Sequence, residues 1–196
     1  MKNLFIYLAF AIVTTFSLSS CSDANDEMDV VNTASDIELS SRSATAPGDS
    51  SIASIAISNG FDELVSALSF VDAELDSGLV DLFLNGKDQY TVFAPANEAF
   101  YRLYGALGVD AINEVDPELV LQVLLYHVTD GRRIAKSVVP KKNYKVIETL
   151  QGSSFMVDSS GQILANTAVE NKASIAASDI SASNGIIHVI SEVILP

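Results

Sequence analysis

The chain has 196 residues, a formal charge of −14 at pH 7 and 48% hydrophobic residues, with one cysteine and two histidines. This acidic balance argues against a general nucleic-acid binder, because such a protein needs a basic face to displace counterions from phosphates. A single cysteine excludes an intrachain disulfide and a cysteine-rich zinc site. The apolar fraction is typical of a globular protein.

Residues 1–20 have the pattern of a targeting segment. A positive charge at Lys2 precedes the apolar run 4–16, which is too short to span a bilayer comfortably. The following Leu18-Ser19-Ser20-Cys21 resembles the bacterial lipoprotein signal. That resemblance implies cleavage before Cys21, acylation of Cys21 and a lipid anchor in the bacterial envelope, which we expect to be in the outer membrane. The alternative is an ordinary secretory signal with an incidental cysteine.

Residues 21–50 predict a flexible acidic tether that begins at the lipidated Cys21. Between residues 22 and 50 there are seven acidic residues, one basic residue (Arg42) and no aromatic residue. Such a segment buries too little apolar area to offset the entropy of ordering. The acidic residues after the cysteine resemble a surface-export signal of bacterial lipoproteins, and a plain periplasmic linker is the alternative.

Residues 51–196 predict one domain that is helical in its first half. Apolar residues at helical spacing predict a helix over 61–68, and a shorter helix is expected at 78–84. Asn97 is expected to cap a third helix. A fourth, capped by Asp116, is expected to run to about His127, to be the most buried and to be ended by Asp130-Gly131.

The second half of this domain predicts mainly strands. A β-rich run at 89–95 comes first, and later candidates are 133–135, 144–150, 154–157, 162–165, 172–177 and 185–195. Hairpin turns are expected at Ser159-Ser160-Gly161 and at Asn184-Gly185. Helices followed by strands favour an α+β fold with a mostly antiparallel sheet.

Three segments together resemble the fasciclin domain. They are Tyr90–Phe100 (YTVFAPANEAF), Val123–Val128 (VLLYHV) and Ala177–Ile190 (ASDISASNGIIHVI). Their order and spacing match the family across essentially all of residues 51–196. The resemblance implies a wedge of β-strands packed against several α-helices. It also implies an extracellular adhesion or interaction module that is not an enzyme.

The family supplies two candidate ligand-binding sites. In animal fasciclin-domain proteins the Tyr-His region has been implicated in integrin recognition, and it maps here to Tyr126 and His127. The Asp-Ile core of the integrin-binding motif in animal relatives maps to Asp179 and Ile180, although the flanking residues differ. The structural alternatives are a packed core histidine at His127, and at Asp179 an aspartate that orders the approach to the final hairpin.

A third candidate site comes from the charge pattern. Six of the nine basic residues in 51–196 fall within 132–145, a window without acids: Arg132, Arg133, Lys136, Lys141, Lys142 and Lys145. A solvated basic loop is one interpretation. The other is a local positive patch that captures anionic glycans or lipid head groups.

No catalytic constellation accompanies these sites. The sequence has no Gly-x-Ser-x-Gly elbow and no phosphate-binding glycine loop, and two histidines without a third ligand make a weak metal site. We therefore predict neither enzyme activity nor a cofactor or metal. The predicted function is that of a lipid-anchored adhesion or interaction module, whose partner is a protein or polysaccharide. The alternative is a structural or accessory envelope subunit that contacts a membrane partner and has no external ligand.

Overall fold

A seven-stranded sheet joins the two halves of the domain. We describe it from a computed structural model in which residues 47–165 and 173–196 are described. They belong to one compact unit, Ser41–Pro196. The predicted signal segment, Cys21, the tether up to residue 46 and Lys172 lie outside the described residues, so the predicted limits 1–20, 21–50 and 51–196 stay predictions.

The helices lie mostly in the first half. They are α1 (Ile52–Ser58), α2 (Asp62–Leu75), α3 (Leu79–Asn85), α4 (Asn97–Leu107), α5 (Pro117–Tyr126) and α6 (Ala135–Val138), with a 3₁₀ turn at Ile112–Glu114. The sequence patterns did not predict α1, which begins at a serine cap: Ser51 Oγ accepts a hydrogen bond from Ser54 N. Asp116 caps α5 as predicted, since its carboxylate accepts from Glu118 N and Leu119 N.

The strands form one sheet in the order β2-β1-β7-β6-β5-β4-β3. They are β1 (Tyr90–Pro95), β2 (Val128–Asp130), β3 (Tyr144–Glu148), β4 (Ser154–Asp158), β5 (Gln162–Leu164), β6 (Ala173–Ala182) and β7 (Gly185–Ile190). β1 and β7 pair in parallel, and the other pairs are antiparallel. This confirms the predicted α+β class with a mostly antiparallel sheet.

Both predicted hairpins are present. Asp158 Oδ1 accepts from Ser160 N and Gln162 N, which fixes the β4–β5 turn, and Gly161 there has a φ of +83°. The β6–β7 turn runs through Asn184 to Gly185, but Asn184 is not at positive φ. Its amide instead joins distant helices, because Oδ1 accepts from Ile52 N (2.8 Å) and Nδ2 donates to Phe83 O (2.9 Å).

Strand β1 separates two hydrophobic clusters because its side chains alternate between faces. Val92 and Ala94 join the cluster under the helices, whereas Phe93 joins a second cluster. There the Phe93 ring meets the Phe155 ring edge-on, with centroids 5.0 Å apart. Both faces of β1 are therefore buried from Thr91 to Pro95.

The predicted cap of α4 is wrong. The cap position is Ala96, and no side chain caps this helix. Asn97 is the first helical residue, and its amide serves the start of α2 instead: Oδ1 accepts from Glu63 N (3.2 Å) and Nδ2 donates to Gly60 O (2.9 Å). The side chain thus caps a neighbouring helix, a relationship that local sequence does not reveal.

Two predictions for α5 are wrong. The helix is not the most buried, since only Val120, Leu124 and Tyr126 are buried and Leu119 is 58% exposed. Nor does Asp130-Gly131 end it. The helix ends at Tyr126 because the chain then enters β2 at Val128, which pairs with Val92 of β1.

The predicted strand at 133–135 is also wrong. Ile134 is extended but serves as the cap residue of α6, and Ala135 N donates to Asp179 Oδ1 (2.7 Å) in place of a strand partner. The predicted strand at 172–177 is too short, because β6 continues to Ala182. Register shifts between Ile175 and Ile180 let this strand bend and stay paired.

Candidate functional site

The basic window Arg132–Lys145 divides into two groups in the fold. The side chains of both arginines donate hydrogen bonds to backbone carbonyl oxygens of the domain itself. The Arg132 guanidinium donates to the carbonyl oxygens of Ala182 (2.9 Å) and Gly185 and to Ser181 Oγ. These acceptors surround the β6–β7 turn, so Arg132 holds this turn against the segment that follows β2.

Arg133 is likewise tied to the fold. Its Nε donates to Asp130 O (3.0 Å), and its backbone N donates to Thr91 Oγ1 (2.8 Å). Its carbonyl oxygen accepts from His188 Nε2 (2.9 Å). Because both arginines are partly buried and bonded to the backbone, their first role is structural.

Three of the four lysines form the second group and face solvent. Lys136 lies on α6, and Lys141 and Lys142 lie in the loop before β3; all three are exposed. Lys145 Nζ donates to Ser137 O, which joins β3 to α6. Within the described part of the chain, no carboxylate pairs with Lys136, Lys141 or Lys142. We call these three residues the lysine group.

An exposed apolar surface lies on β3 and β4, which follow Lys141 and Lys142 in the chain. Tyr144 is 59% exposed, Val146 56% and Met156 42%, and Val146 lies directly opposite Met156 in the β3–β4 pairing. We call these three residues the β3–β4 face. The sequence patterns did not predict this surface. Val146 and Ile147 are consecutive apolar residues, so apolar and polar residues do not alternate clearly along β3. The usable signal was that Tyr144 and Val146 share one side of the strand.

Tyr126 and His127 lie in the interior. The Tyr126 ring is fully buried, and its hydroxyl donates to Ser154 O (3.1 Å). His127 is 3% exposed; Nδ1 donates to Val123 O (2.7 Å) and Nε2 accepts from Ile194 N (3.1 Å). Burial lowers the pKa of His127 to about 4, so the ring is neutral at pH 7. Neither side chain therefore presents a free polar group at the outer surface of the domain.

Asp179 and Ile180 lie at the irregular part of β6. Asp179 has a φ of +63°, and its carboxylate accepts from Ala135 N (2.7 Å) at the start of α6. Its backbone N donates to His188 Nδ1 (3.3 Å), while Ile180 packs against the helix-side core. Burial lowers the pKa of His188, although the bonded Arg133 carbonyl and the Asp179 charge oppose the shift. Asp179 therefore helps to order this region.

An apolar cavity of about 190 Å³ lies among α2, α4, α5 and the C-terminal segment. Its lining includes the buried side chains of Ala67, Phe100 and Val193. At its mouth, Leu107 is 53% exposed and Leu119 is 58% exposed. The sequence predicted none of this, because the apolar positions of α4 and α5 indicated contact with a core.

The candidate residues therefore do not form one site. Lys141 and Lys142 precede the β3–β4 face in the chain, and Asp179 contacts the start of α6, which carries Lys136. Tyr126 lies buried on α5, and the cavity lies among α2, α4 and α5. Within residues 47–165 and 173–196, His, Cys, Asp and Glu side chains form no group of three that could hold a metal ion. In the same residues, no helix has both the length and the apolar character to cross a membrane.

Comparison with known proteins gives relatives of several kinds. The chain is 29% identical to Protein sll1483 of Synechocystis, over 100% of this chain and 99% of that protein. It is 31% identical to immunogenic protein MPB70 of Mycobacterium bovis, over 72% of this chain and 67% of that protein. It is 34% identical to porcine transforming growth factor-beta-induced protein ig-h3, over 61% of this chain and only 16% of that much longer protein.

The fold has a solved counterpart. A FAS1 domain pair from the insect cell adhesion molecule Fasciclin I superposes with a TM-score of 0.54 at 18% identity, over 76% of this chain and 52% of that chain. The sequence model of the fasciclin domain matches residues 60–196. Fasciclin domains are found in cell adhesion proteins. With the seven-stranded sheet, the helices and the three sequence blocks in agreement, the chain belongs to the fasciclin domain family.

Proposed function

We propose that this protein is a lipid-anchored adhesion module of the bacterial envelope that binds an anionic polysaccharide or an acidic protein surface. The proposed binding site consists of the lysine group and the β3–β4 face. The observation that carries this proposal is a set of three exposed lysines with no carboxylate partner among residues 47–165 and 173–196, namely Lys136, Lys141 and Lys142, two of which shortly precede exposed Tyr144 in the chain. Residues 51–196 as a whole hold twice as many acids as bases, 18 against 9.

The physical chemistry favours an anionic ligand. Unpaired lysines retain their full attraction for a carboxylate or sulfate, whereas the charges of Arg132 and Arg133 are already shared with carbonyl oxygens. Exposed Tyr144 and Met156 add apolar contact area, since aromatic residues and Met are enriched at binding interfaces. A single site of this kind binds weakly, so many copies on one membrane would supply avidity.

The anchor and the location complete the proposal. Cys21 follows a lipoprotein-like signal, and the acidic residues behind it would place the domain away from the membrane. Replacing Cys21 with Ala should move the protein from the membrane fraction to the soluble fraction. Protease added to intact cells should remove the domain if it faces outward. Protection from protease would instead favour an accessory subunit within the envelope.

The ligand test uses dextran sulfate and neutral dextran as matched polymers. The soluble chain 22–196 should bind dextran sulfate saturably, with an affinity that falls as salt rises, and should ignore dextran. Lys141→Gln and Lys142→Gln should each weaken binding several-fold. The control Lys87→Gln removes an exposed lysine outside the window and should bind as the parent does. Equal losses for all three variants would show attraction without a site and would contradict the proposal.

A further inference from the structure

The cavity beside α5 has the properties of a binding site for a hydrocarbon group. At about 190 Å³ it exceeds the roughly 150 Å³ apolar cavity that stays dry and takes up benzene. Its described lining is apolar except for the ring of His127. Atoms that face an empty space lose dispersion contacts, so an apolar guest would restore them.

The ring of His127 offers nothing to a polar guest. Both of its nitrogens are already used, Nδ1 by Val123 O and Nε2 by Ile194 N. Both hydrogen-bonding atoms of the neutral ring therefore have partners, and the ring offers only carbon atoms to a guest in the cavity. A hydroxyl or carboxylate placed inside would lose its hydration without a replacement partner. The inner part of any ligand must accordingly be hydrocarbon.

Exposed acidic residues adjoin, in the sequence, the residues that line the mouth of the cavity, and they restrict the outer part of the ligand. Lining residues Ile112, Val115 and Leu119 come from the 3₁₀ turn and the first turn of α5. Interleaved with them are four acidic residues: Asp110, Glu114, Asp116 and Glu118. Their combined field disfavours an anionic head group and favours a cationic one.

We propose that this cavity binds the alkyl chain of a cationic amphiphile, with the chain inside and the positive head group at the mouth. Leu107 and Leu119 at the mouth would cover the part of the chain that leaves the cavity. This site is separate from the lysine group and does not depend on the anionic ligand proposed above. It gives the domain a second binding specificity, of opposite charge.

Three matched amphiphiles test the proposal on the soluble chain 22–196, each below its micelle concentration. Decyltrimethylammonium should bind one to one, about tenfold tighter than decanoate at low salt, with decyl maltoside in between. The difference in affinity between decyltrimethylammonium and decanoate should shrink in 1 M salt. Among alkyl chains of increasing length, affinity should rise about fourfold per methylene until the cavity is full.

Variants locate the site. Ala67→Leu fills the cavity from a buried lining position and should abolish binding of all three amphiphiles. Should that variant fail to fold, Leu119→Gln at the exposed mouth should weaken binding several-fold. Leu84→Gln removes a leucine of similar exposure (41%) on α3 and should have no effect. Glu114→Gln with Glu118→Gln should remove the preference for the ammonium and leave decyl maltoside unchanged.

Three results would overturn the proposal. They are a lack of saturable binding by any amphiphile, decanoate binding as tight as that of the ammonium, and binding that survives both Ala67→Leu and Leu119→Gln. Each would show that the cavity does not select a cationic amphiphile. None of these results concerns dextran sulfate binding, so the two proposed sites are tested independently.

Discussion

Asn184 Oδ1 accepts a hydrogen bond of 2.8 Å from the backbone N of Ile52, across 132 residues of sequence. The same amide donates to Phe83 O, and Asn184 is 3% exposed. The Asn184 side chain thus supplies a hydrogen-bond partner to a backbone N–H in the first turn of α1 and to a backbone carbonyl of α3. The family-like Asn184-Gly185 sequence therefore serves the joint between the helices and the sheet.

Replacing Asn184 with Ala should lower the free energy of unfolding by about 2–4 kcal/mol, because a buried N–H and a buried C=O both lose their partner. Urea denaturation measures this change. Asn59→Ala is the control: its amide also donates to a helix carbonyl, Ile55 O, but Asn59 is exposed. The control substitution should lower the free energy of unfolding by less than about 1 kcal/mol. Equal losses for the two variants would contradict the role of Asn184 in joining the helices to the sheet.

Gly185→Ala should destabilise the domain, whereas Gly105→Ala should not. A Cβ at residue 185 would lie 2.1 Å from Tyr90 O and 2.8 Å from Ile52 Cδ1, while a Cβ at residue 105 on α4 meets no atom within 4 Å. Thermal unfolding should show a loss of about 3 kcal/mol or more for Gly185→Ala. Gly105→Ala should gain about 0.5–1 kcal/mol through helix propensity. A stable Gly185→Ala variant would contradict the close approach of β7 to β1.

Stability should fall as pH decreases from 7.5 to 5.5. Burial holds the pKa of His127 at about 4 in the folded state, against 6.5 as the ordinary value, so the unfolded chain takes up the proton first. The contribution of His127 is complete above pH 6.5 and is lost progressively down to pH 4. The loss is about 1 kcal/mol by pH 5.5 and about 3 kcal/mol by pH 4.

Urea unfolding of a His127→Gln variant at several pH values checks this origin. The variant should be less stable at pH 7.5 and should show a shallower slope between pH 7.5 and 5.5. His188 continues to contribute in the same direction, because burial also lowers its pKa. Parallel profiles for parent and variant would assign the pH dependence to other groups.

Arg132→Gln should destabilise the domain by about 2 kcal/mol, because the guanidinium bonds to Ala182 O and Gly185 O are lost. Lys141→Gln should change stability by less than about 0.5 kcal/mol, since this exposed side chain has no described partner. Denaturant unfolding of both variants tests the division of the basic window. Equal effects would contradict it.

Sequence patterns predicted what is local or repeated. The helical spacing of Phe61–Leu68, the Asp116 cap and both hairpins are local features, and the fasciclin-like blocks carried the α+β fold. The patterns failed where a partner is distant in sequence. Asn97 caps α2 and not its own helix, and Ala135 bonds to Asp179 in β6, which prevents the predicted strand.

The candidate site was predicted only in part, for the same reason. Composition located the basic window, but only the fold separates Arg132, bound to carbonyls around the β6–β7 turn, from the exposed Lys141 and Lys142. The cavity beside α5 is open where Leu119 is exposed. Whether another element covers a helix residue depends on tertiary packing, which a local sequence pattern does not reveal. Whether Asp179 or Tyr126 contributes to binding stays a prediction.

The most direct test of the central claim is backbone amide NMR of chain 22–196 titrated with dextran sulfate and, separately, with neutral dextran. We expect dextran sulfate to shift the amides of residues 136–146 and of Met156, with the shifts reversed by salt, and dextran to shift none. Shifts that instead centre on another surface, or that are identical for the two polymers, would contradict the claim that the lysine group and the β3–β4 face form the binding site.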